Sequence, residues 1–342
     1  MLILGLESSC DDCSASVVEE SANGPQILSL IRFNQDELHA PYGGVVPELA
    51  AREHLIQLRR LTTSALEQAG IKATDLGGIA VTKGPGLIGC LLTTFSAAKA
   101  LAWRLGITFV GVHHALGHFN AARFSRPHLS FPALALLVSG GHTHLYLAYS
   151  WTKLQLLIKT RDDAAGEAFD KSARMLSLGY PGGALLDACA QGALESAPPF
   201  TRPKFRDGGI SWSFSGLKTA VKQRIEKDPG LASAGAGDPS VKSLCRTINE
   251  TISSWLLEPI PRLVDIHNAK SLVVSGGVAC NSKLRDGALA LGGKLGIDTV
   301  IPEPQLCTDN GAMIAAAGVE LPECDDAKWA ENADANYSLV SF

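Results

Sequence analysis

The residues best placed to do chemistry are two histidines, His114 and His118, in the segment VHHALGH at 112–118. They stand four positions apart, the spacing that places two side chains on one face of a helix. Two neutral imidazoles directed at one point form half of a metal site. The same spacing excludes His113 from that face, so we expect His113→Ala to retain metal. Because H-x3-H pairs also occur outside metal sites, this one needs support from the rest of the sequence.

Two Ser-Gly-Gly turns are the second feature, at 139–141 and 275–277, each directly after a short apolar run. Glycines at the end of a strand let backbone N–H groups converge on an anion without obstruction by Cβ atoms. Such turns also occur for purely structural reasons. Their recurrence, together with the hydroxyl-rich pair Ser8-Ser9, favours a bound nucleotide phosphate.

Carboxylates could complement both the histidine pair and the Ser-Gly-Gly turns. Glu167 and Asp170 are three apart in a helical segment, where they could accept hydrogen bonds from ribose or substrate hydroxyls. Asp309 precedes the apolar segment 312–319 and could serve as a hard oxygen ligand for a metal or as an ordinary helix cap.

Two further motifs give little evidence of function. The segment GPGLIG at 84–89 matches G-x-G-x-x-G, but no acidic residue follows until Asp162, so the ribose partner of a dinucleotide site is absent. We interpret the segment as a turn that permits close packing. Cys10 and Cys13 have the C-x2-C spacing without a second such pair, and the eight cysteines form no disulfide framework.

Length and composition predict a globular protein of two domains. The chain has 342 residues, of which 46% are hydrophobic and 19% charged, and domains commonly contain roughly 150 residues. The longest apolar run, residues 131–138, is far shorter than the ~20 residues of a membrane helix. The opening MLILGLE resembles neither a signal peptide nor a transit peptide, so we expect a cytoplasmic protein.

Charge is distributed unevenly around a net value of −4. Between Asp75 and Asp162 there is no acidic residue, but there are eight lysines and arginines and six histidines. After Pro302 acidic residues predominate. This asymmetry favours contact of the central region with phosphate or nucleic acid, although buried elements that avoid carboxylates would also produce it.

The elements that must position these residues alternate between strands and helices, which predicts an α/β fold. Strand, Ser/Gly turn and second element recur at intervals of ~130 residues, the size of a domain, which favours internal duplication. We predict strand pairs at 2–7 with 13–18 and at 133–138 with 143–149. Helices are predicted at 47–69, 88–105, 166–178, 278–284, 312–319 and 241–267, the last broken near its prolines, with a loop at 228–239.

Taken together, the motifs resemble the family of tRNA N6-adenosine threonylcarbamoyltransferases. The resemblance rests on GLESSCDD, YGGVVPELAAREH, KGPGLIG, VHHALGH, LLVSGGHTHL, DDAAGEAFDK, YPGG, SFSGLKTAV, VSGGVACN and CTDNGAMIA, from residue 5 to about residue 318. It implies duplicated lobes of the actin, sugar-kinase and Hsp70 ATPase superfamily, RNase H-like in topology, with a central cleft. We expect one lobe at 1–112, completed by the helix at 312–319, a second at 113–311, and an acidic tail at 322–342.

The resemblance also implies an activity: transfer of the threonylcarbamoyl group from threonylcarbamoyl-AMP to N6 of the adenosine beside the anticodon (adenosine 37) in tRNAs that read codons beginning with A. His114, His118 and Asp309 would hold one divalent metal per subunit, Fe²⁺ or, compatibly with these ligands, Zn²⁺. We consider Asp11 as the general base to test first. Substrate-binding positions implied by the motifs are Leu137, Val138, Ser139, Gly140, Gly141, Asp170, Gly183, Asp187 and Asn281.

Implied partners are tRNA, a non-catalytic paralogous subunit and a small ATPase, with no membrane. The chain departs from the family pattern at Asp12-Cys13, usually Glu-Thr, and at Ala115-Leu116 between the histidines, often a larger or acidic pair.

Three other functions remain open at this point. A kinase of the same superfamily would share the phosphate turns but would have no use for the histidine pair. A metalloprotease would need an H-E-x-x-H motif, which the chain lacks. A metal-dependent scaffold for partner proteins would not be an enzyme.

Overall fold

The computed structural model describes residues 1–203, 205, 208–319 and 329–339, and its internal contacts divide the chain into two compact units. Of the described residues, unit 1 comprises 1–129, 148–155, 302–319 and 329–339, and unit 2 comprises 130–147, 156–203, 205 and 208–301.

The first sheet consists of β1 (Leu2–Glu7), β2 (Cys13–Ser21), β3 (Gly24–Phe33), β4 (Gly78–Gly84) and β5 (Thr108–His113). Its order is β3-β2-β1-β4-β5, with the first three strands antiparallel and with β4 and β5 parallel to β1. The helices of unit 1 are α1 (Asp36–His39), α2 (Pro47–Ala69), α3 (Ile88–Leu105) and α4 (His114–Asn120); later helices, numbered in chain order, are given below.

The second sheet consists of β6 (Ala133–Val138), β7 (Thr143–Ala148), β8 (Leu154–Lys159), β9 (Ser271–Ser275) and β10 (Asp298–Val300). Read from β8, its order is β8-β7-β6-β9-β10, the same as that of the first sheet, and β6, β9 and β10 are parallel. The accompanying helices are α5 (Ala165–Met175), α6 (Gly182–Gln191), α7 (Ser215–Lys227), α8 (Gly230–Ser233), α9 (Pro239–Leu257), α10 (Ile260–His267) and α11 (Ser282–Leu295). The predicted duplication of an α/β unit is therefore confirmed.

Unit 1 is completed by α12 (Pro304–Cys307) and α13 (Gly311–Val319) from the end of the chain. Side chains of β1 alternate between the two faces of the sheet. Leu4 and Leu6 enter a core with residues of α2 and α3, so Gly5 faces the other side. A Cβ atom at Gly5 would lie 2.0 Å from the carbonyl oxygen of Gly311, and α13 therefore packs directly on the strand.

Helix α13 is apolar on all sides and buried at every position from Gly311 to Gly318. A helix of this kind is stable only inside a core. Because it lies against both the sheet and α4, it brings the residues that precede it toward α4.

The predicted helices at 47–69 and 88–105 are confirmed to the residue, and the predicted break in the helix after 241 separates α9 from α10. Two local predictions were wrong. The segment 277–280 is a 3-10 turn, and α11 begins only at Ser282, because Asn281 caps it. The segment 228–239 contains α8 and the N-cap Asp238 of α9.

The predicted domain boundary between residues 112 and 113 lies inside unit 1, which also contains α4 because α4 packs on α13. Of the predicted acidic tail, residues 322–328 and 340–342 lie outside the described residues. Residues 329–339 belong to unit 1, where Trp329 stacks on Phe109 with ring centroids 5.9 Å apart. No helix in the described ranges combines the length and apolar character needed to cross a bilayer.

Candidate functional site

Helix α4 carries the two histidines of the motif on one face. It starts directly after β5, and the ring of His113 caps it by accepting a hydrogen bond from the backbone N–H of Ala115 at 3.1 Å. The rings of His114 and His118 are 4.5 Å apart, and their Nε2 atoms are separated by 3.1 Å. Both side chains are almost fully buried, so the Nε2 atoms meet inside the protein.

Asp309 joins them through the packing of α13 on α4. Gly117 makes this close approach possible, because a Cβ atom there would lie 2.7 Å from Cδ1 of Ile314. Asn310, not Asp309, caps α13 by accepting a hydrogen bond from the N–H of Met313. Asp309 Oδ1 instead lies 3.2 Å from His118 Nε2 and 3.7 Å from His114 Nε2.

The three donor atoms fit a metal ion. Two ligands at 2.0–2.1 Å from a tetrahedral metal lie roughly 3.3 Å apart, and the three separations here are 3.1, 3.2 and 3.7 Å. Within the described residues this is also the cluster of histidine, cysteine and carboxylate side chains whose donor atoms converge, all within 4.8 Å of one another. Three protein ligands leave coordination positions open for substrate or water.

The buried charges of the cluster shift one another's pKa values. Burial alone would lower the pKa of His114, but the carboxylates of Asp309 and Glu7 outweigh it and raise that pKa to about 9. Burial would raise the pKa of Asp309, but attraction to His114 and the hydrogen bond from His118 hold it well below its usual range. A bound cation would replace the proton that His114 carries at neutral pH.

Glu7, which the sequence reasoning did not select, stands behind His114. It is fully buried at the end of β1, and its Oε2 accepts a hydrogen bond from His114 Nδ1 at 3.3 Å. Burial would raise the pKa of this carboxyl, but His114 lowers it overall. The available signal was a single charged residue ending the otherwise apolar strand LILGLE.

The turn that follows β1 is held from two sides. The Nε2–H of buried His54, on α2, donates to the carbonyl of Cys10 at 2.7 Å. On the other side, the N–H of Leu87 donates to the carbonyl of Ser9 at 2.7 Å, and a Cβ atom at Gly86 would lie 2.4 Å from that oxygen. The close-packing role predicted for GPGLIG is therefore confirmed, and His54 explains the motif YGGVVPELAAREH in part.

Asp11 and Asp12 lie in this turn. Asp12 pairs with Arg32 at 3.0 Å, and burial together with the charge of Asp309 raises the pKa of Asp12 to about 7. Asp11 is half-buried and does not belong to the convergent group.

His113 faces away from the cluster. Its Nδ1 caps α4, and its Nε2 donates to the carbonyl of Tyr337 at 3.0 Å. Tyr337 belongs to the C-terminal strap, residues 329–339, which also pairs with the end of β4: the N–H of Asp334 donates to the carbonyl of Lys83 at 2.9 Å. Both nitrogens of His113 are thus engaged elsewhere.

In unit 2, the turn Ser139-Gly140-Gly141 joins β6 to β7. The N–H of Ser139 donates to the carbonyl of His142 at 2.8 Å, and both glycines are exposed with open space where a Cβ atom would stand. Helix α5 begins beside the turn, since the N–H of Gly166 donates to the carbonyl of Ser139 at 3.3 Å. Leu137 and Val138 are buried in the core, so only their backbone could contact a ligand.

The second Ser-Gly-Gly turn lies beside the first because β9 is the parallel neighbour of β6. Gly276 has a φ of +95°, and a Cβ atom there would lie 2.4 Å from the carbonyl of Val138. Glycine is therefore required at this position by its backbone conformation and by the close approach.

The other predicted substrate residues of unit 2 lie at two places, Asp170 with Gly183 at one and Asp187 with Asn281 at the other. Asp170 Oδ1 accepts a hydrogen bond from the N–H of Gly183 at 2.9 Å, at the start of α6. Asp187, in the middle of α6, accepts from the N–H and Oγ of Ser282 and from Nδ2 of Asn249. Asn281 caps α11 by accepting from the N–H of Leu284, which places it next to the Asp187 contact.

Comparison with known proteins decides the family. Residues 26–316 match the family described as tRNA N6-adenosine threonylcarbamoyltransferase. A protein of that name from Pelobacter propionicus is 48% identical over 319 residues, covering 93% of this chain and 91% of the relative. Another, from Desulfitobacterium hafniense, is 44% identical and covers 99% of this chain and 97% of the relative.

The chain belongs to the tRNA N6-adenosine threonylcarbamoyltransferase family.

Members of this family are tRNA-modifying transferases, and the reaction named is an acyl transfer. Membership favours the transferase over the kinase and protease alternatives considered above.

Solved structures agree on the fold alone. Component A of (R)-2-hydroxyglutaryl-CoA dehydratase from Acidaminococcus fermentans superimposes with a TM-score of 0.56 at 14% identity, covering 97% of this chain and 100% of that chain. HypF from T. kodakarensis gives a TM-score of 0.59 at 13% identity, covering 93% of this chain and 47% of that chain.

Proposed function

We propose that this protein transfers the threonylcarbamoyl group of threonylcarbamoyl-AMP to N6 of adenosine 37 in tRNA, using a metal held by His114, His118 and Asp309. The convergence of their three donor atoms, with separations of 3.1–3.7 Å, carries the proposal. It stands in a chain that matches the transferase family over residues 26–316.

The donor set fits a divalent cation such as Fe²⁺ or Zn²⁺, because two imidazoles and one carboxylate suit either metal. When bound, the cation would supply Lewis-acid polarisation of substrate oxygens through its open coordination positions. Within the cluster, the nitrogen of His118 that faces the other two donor atoms is Nε2, which lies 3.1 Å from His114 Nε2 and 3.2 Å from Asp309 Oδ1.

Unit 2 would bind the adenylate. The exposed backbone of Gly140 and Gly141, next to Ser139, offers N–H groups to the phosphate, and the start of α5 adds its dipole. Asp170 with Gly183, and Asp187 with Asn281, would hold the nucleoside. Since Leu137 and Val138 are buried, they would contribute only backbone groups.

The reaction forms a bond between N6 and the carbamoyl carbon and breaks the bond between that carbon and the phosphate oxygen, so that AMP leaves. Backbone donors of the glycine turn would stabilise the leaving phosphate. N6 must also lose a proton, and Asp11 is our candidate to receive it. Its support is position: it is two residues from Ser9, whose Oγ lies 3.2 Å from His114 Nδ1.

We propose that the protein works in the cytoplasm with a non-catalytic paralogous subunit and a small ATPase. Exposed apolar side chains on two neighbouring helices support a protein partner. Leu55 and Ile56 on α2 are 72% and 65% exposed, and Trp103 on α3 is 71% exposed. Ile88 and Leu92 lie along the same side of α3 as Trp103, at spacings of four and eleven residues.

The test is a transfer assay with the purified protein, its partner subunits, threonylcarbamoyl-AMP and unmodified tRNA. Mass spectrometry of nucleosides should detect threonylcarbamoyladenosine with the wild type and with His128→Ala, a matched control at an exposed position. His114→Ala should lose both the product and the bound metal. Formation of product by metal-free His114→Ala at the wild-type rate would refute the proposed role of the metal centre.

Asp11→Asn separates the proposed base from the metal site. We expect it to retain metal and to lower kcat more than it raises KM, because it would remove only the group that receives the proton. Wild-type kcat in this variant would exclude Asp11 as the base.

A further inference from the structure

Glu7 is a carboxylate at a fully buried position, where an apolar side chain would be expected. It ends β1 and is 0% exposed, and strands β1 and β4 are apolar around it. A buried carboxylate is strongly unfavourable unless its oxygens accept hydrogen bonds. Its presence therefore needs a reason beyond packing.

Its neighbours supply that reason. Oε1 accepts a hydrogen bond from the N–H of Ser9 at 2.6 Å. Oε2 accepts from Thr82 Oγ1 at 2.5 Å and from His114 Nδ1 at 3.3 Å. Since the carboxylate accepts from all three groups, a glutamine amide could not replace it without turning an N–H group toward a donor.

The contact with Glu7 determines which nitrogen of His114 is available. Because Glu7 can only accept, Nδ1 keeps the proton that it donates to Glu7. When His114 gives up its other proton to bind a metal, the lone pair therefore lies on Nε2. That atom is the one that faces His118 Nε2 and Asp309 Oδ1. The carboxylate thus sets both the tautomer and the direction of the ring.

We propose that Glu7 is a positioning residue that holds His114 in the tautomer and orientation required for metal binding. The inference rests on the proposed metal centre. Carboxylates that accept from the second nitrogen of a metal-binding histidine typically raise metal affinity by about 10- to 100-fold.

The two histidines are unequal in this respect. His118 Nδ1 is buried without a hydrogen-bond partner in the described part of the chain, whereas His114 Nδ1 lies within 3.3 Å of Glu7 Oε2 and 3.2 Å of Ser9 Oγ. Of the two histidines, the Glu7 carboxylate therefore orients only His114.

The experiment compares metal affinity in Glu7→Gln and in Glu20→Gln, measured with Co²⁺ and with Zn²⁺ in competition with a chelator. Glu20 lies on β2 of the same sheet and pairs with Arg123 at 2.9 Å, away from the metal-binding atoms. We expect about 10- to 100-fold weaker binding in Glu7→Gln and wild-type affinity in Glu20→Gln. Equal affinity in the wild type and Glu7→Gln would overturn the proposal.

A spectroscopic measurement distinguishes positioning from general stability. In zinc-loaded protein labelled with ¹⁵N-histidine, the Nδ1 proton of His114 should resonate far downfield, because it is hydrogen-bonded to a carboxylate. It should move upfield in Glu7→Gln at saturating zinc and stay in place in Glu20→Gln. An unchanged resonance in Glu7→Gln would overturn the proposal even if affinity falls.

Thr82→Val is a second variant in case Glu7→Gln does not fold. It removes one hydroxyl that holds Glu7 Oε2 while preserving side-chain shape, so we expect a several-fold loss of affinity and a smaller shift of the same proton. No change in either quantity would count against Glu7. If the wild type bound no metal, or if His114→Ala bound as much as the wild type, the metal centre itself would be refuted, together with the role of Glu7.

Discussion

The two units have the same strand order, yet the turn after the central strand, β1 in unit 1 and β6 in unit 2, is built differently in each. After β1, the turn of unit 1 gathers side chains: Glu7 and Ser9 contact His114, and a cluster of three donor atoms lies beyond it. After β6, the turn of unit 2 presents backbone, with Gly140 and Gly141 exposed and unobstructed.

The same fold thus offers the chemistry of two different kinds of site. Unit 1 holds rigid side chains in place through buried hydrogen bonds, which suits a cation that requires fixed ligands. Unit 2 leaves space in front of backbone N–H groups, which suits an anion that must approach them. Substitutions in unit 1 should therefore weaken cation binding by removing donor atoms or hydrogen bonds. Substitutions in unit 2 should weaken anion binding by blocking access to the backbone N–H groups.

The largest effect is expected from Asp309→Ala in unit 1. Loss of a direct ligand should weaken metal binding by at least about 100-fold, more than the loss of a supporting carboxylate. Metal analysis of the purified protein and chelator competition measure it. His113→Ala is the control, since both nitrogens of His113 are engaged away from the cluster, and it should retain metal. Loss of metal in the control, or its retention in Asp309→Ala, would remove the distinction between the units.

Metal binding to the cluster in unit 1 should depend on pH. The raised pKa of His114, about 9, means that a metal ion must displace a proton at neutral pH. Apparent affinity should therefore rise about tenfold per pH unit from pH 7 and level off near pH 9.

The same linkage applies to folding of the metal-free protein: the attraction between His114 and its carboxylates stabilises it fully below about pH 6.5, and this contribution is lost as the pH rises through about 9. In unit 2, burial and then the charge of Lys159 lower the pKa of His144, so His144→Gln should leave the slope of metal affinity unchanged. A flat profile in the wild type would contradict the assignment.

A pair of glycine substitutions tests the role of open space in unit 2. Gly140→Ala adds a Cβ atom that meets nothing within 4 Å, so Tm should stay constant while AMP binding weakens about tenfold, because the methyl group obstructs the N–H groups. Isothermal titration with AMP measures this. Gly166→Ala is the contrasting variant: its Cβ would lie 2.5 Å from the carbonyl of Ser139, and Tm should fall. Unchanged AMP affinity in Gly140→Ala would show that the turn binds no phosphate.

The smallest effect is expected from Asp187→Asn. Asp187 accepts three hydrogen bonds that tie α6 to α9 and α11, and the amide would place an N–H group against a donor. We expect a cost of about 1 kcal/mol, equivalent to roughly fivefold faster amide exchange at the start of α11. No change in exchange, with a large loss of AMP binding, would assign Asp187 to the ligand alone.

Sequence patterns predicted the parts of this protein that depend on local order. The bounds of α2 and α3 follow from residues near in the chain, with Pro47 at one start and Gly70 and Gly106 just past the two ends. The convergence of His114, His118 and Asp309 was predicted because the motif resemblance supplied Asp309, which no spacing rule connects to His114.

Two features were missed, one because it depends on contacts between distant segments and the other because a local helix cap was assigned a different role. The charge at the end of an apolar strand marked Glu7 as unusual, but its role could not be predicted, since it exists only when β4 and α4 bring Thr82 and His114 to it. The 3-10 turn at 277–280 was missed for a local reason: Asn281, first considered for substrate binding, caps α11 through the N–H of Leu284 and so delays the start of the helix.

The packing of α13 on Gly5 has a consequence for the order of events during synthesis. Some 190 residues separate His118 from Asp309, and at roughly 5–20 residues per second a ribosome takes about 10–40 s to make them. All of unit 2 is made in that interval. Until α13 arrives, the first sheet lacks the helix that covers its Gly5 face, and the two imidazoles lack their carboxylate. The three donor atoms can therefore come together only after α13 has been made and has packed on α4.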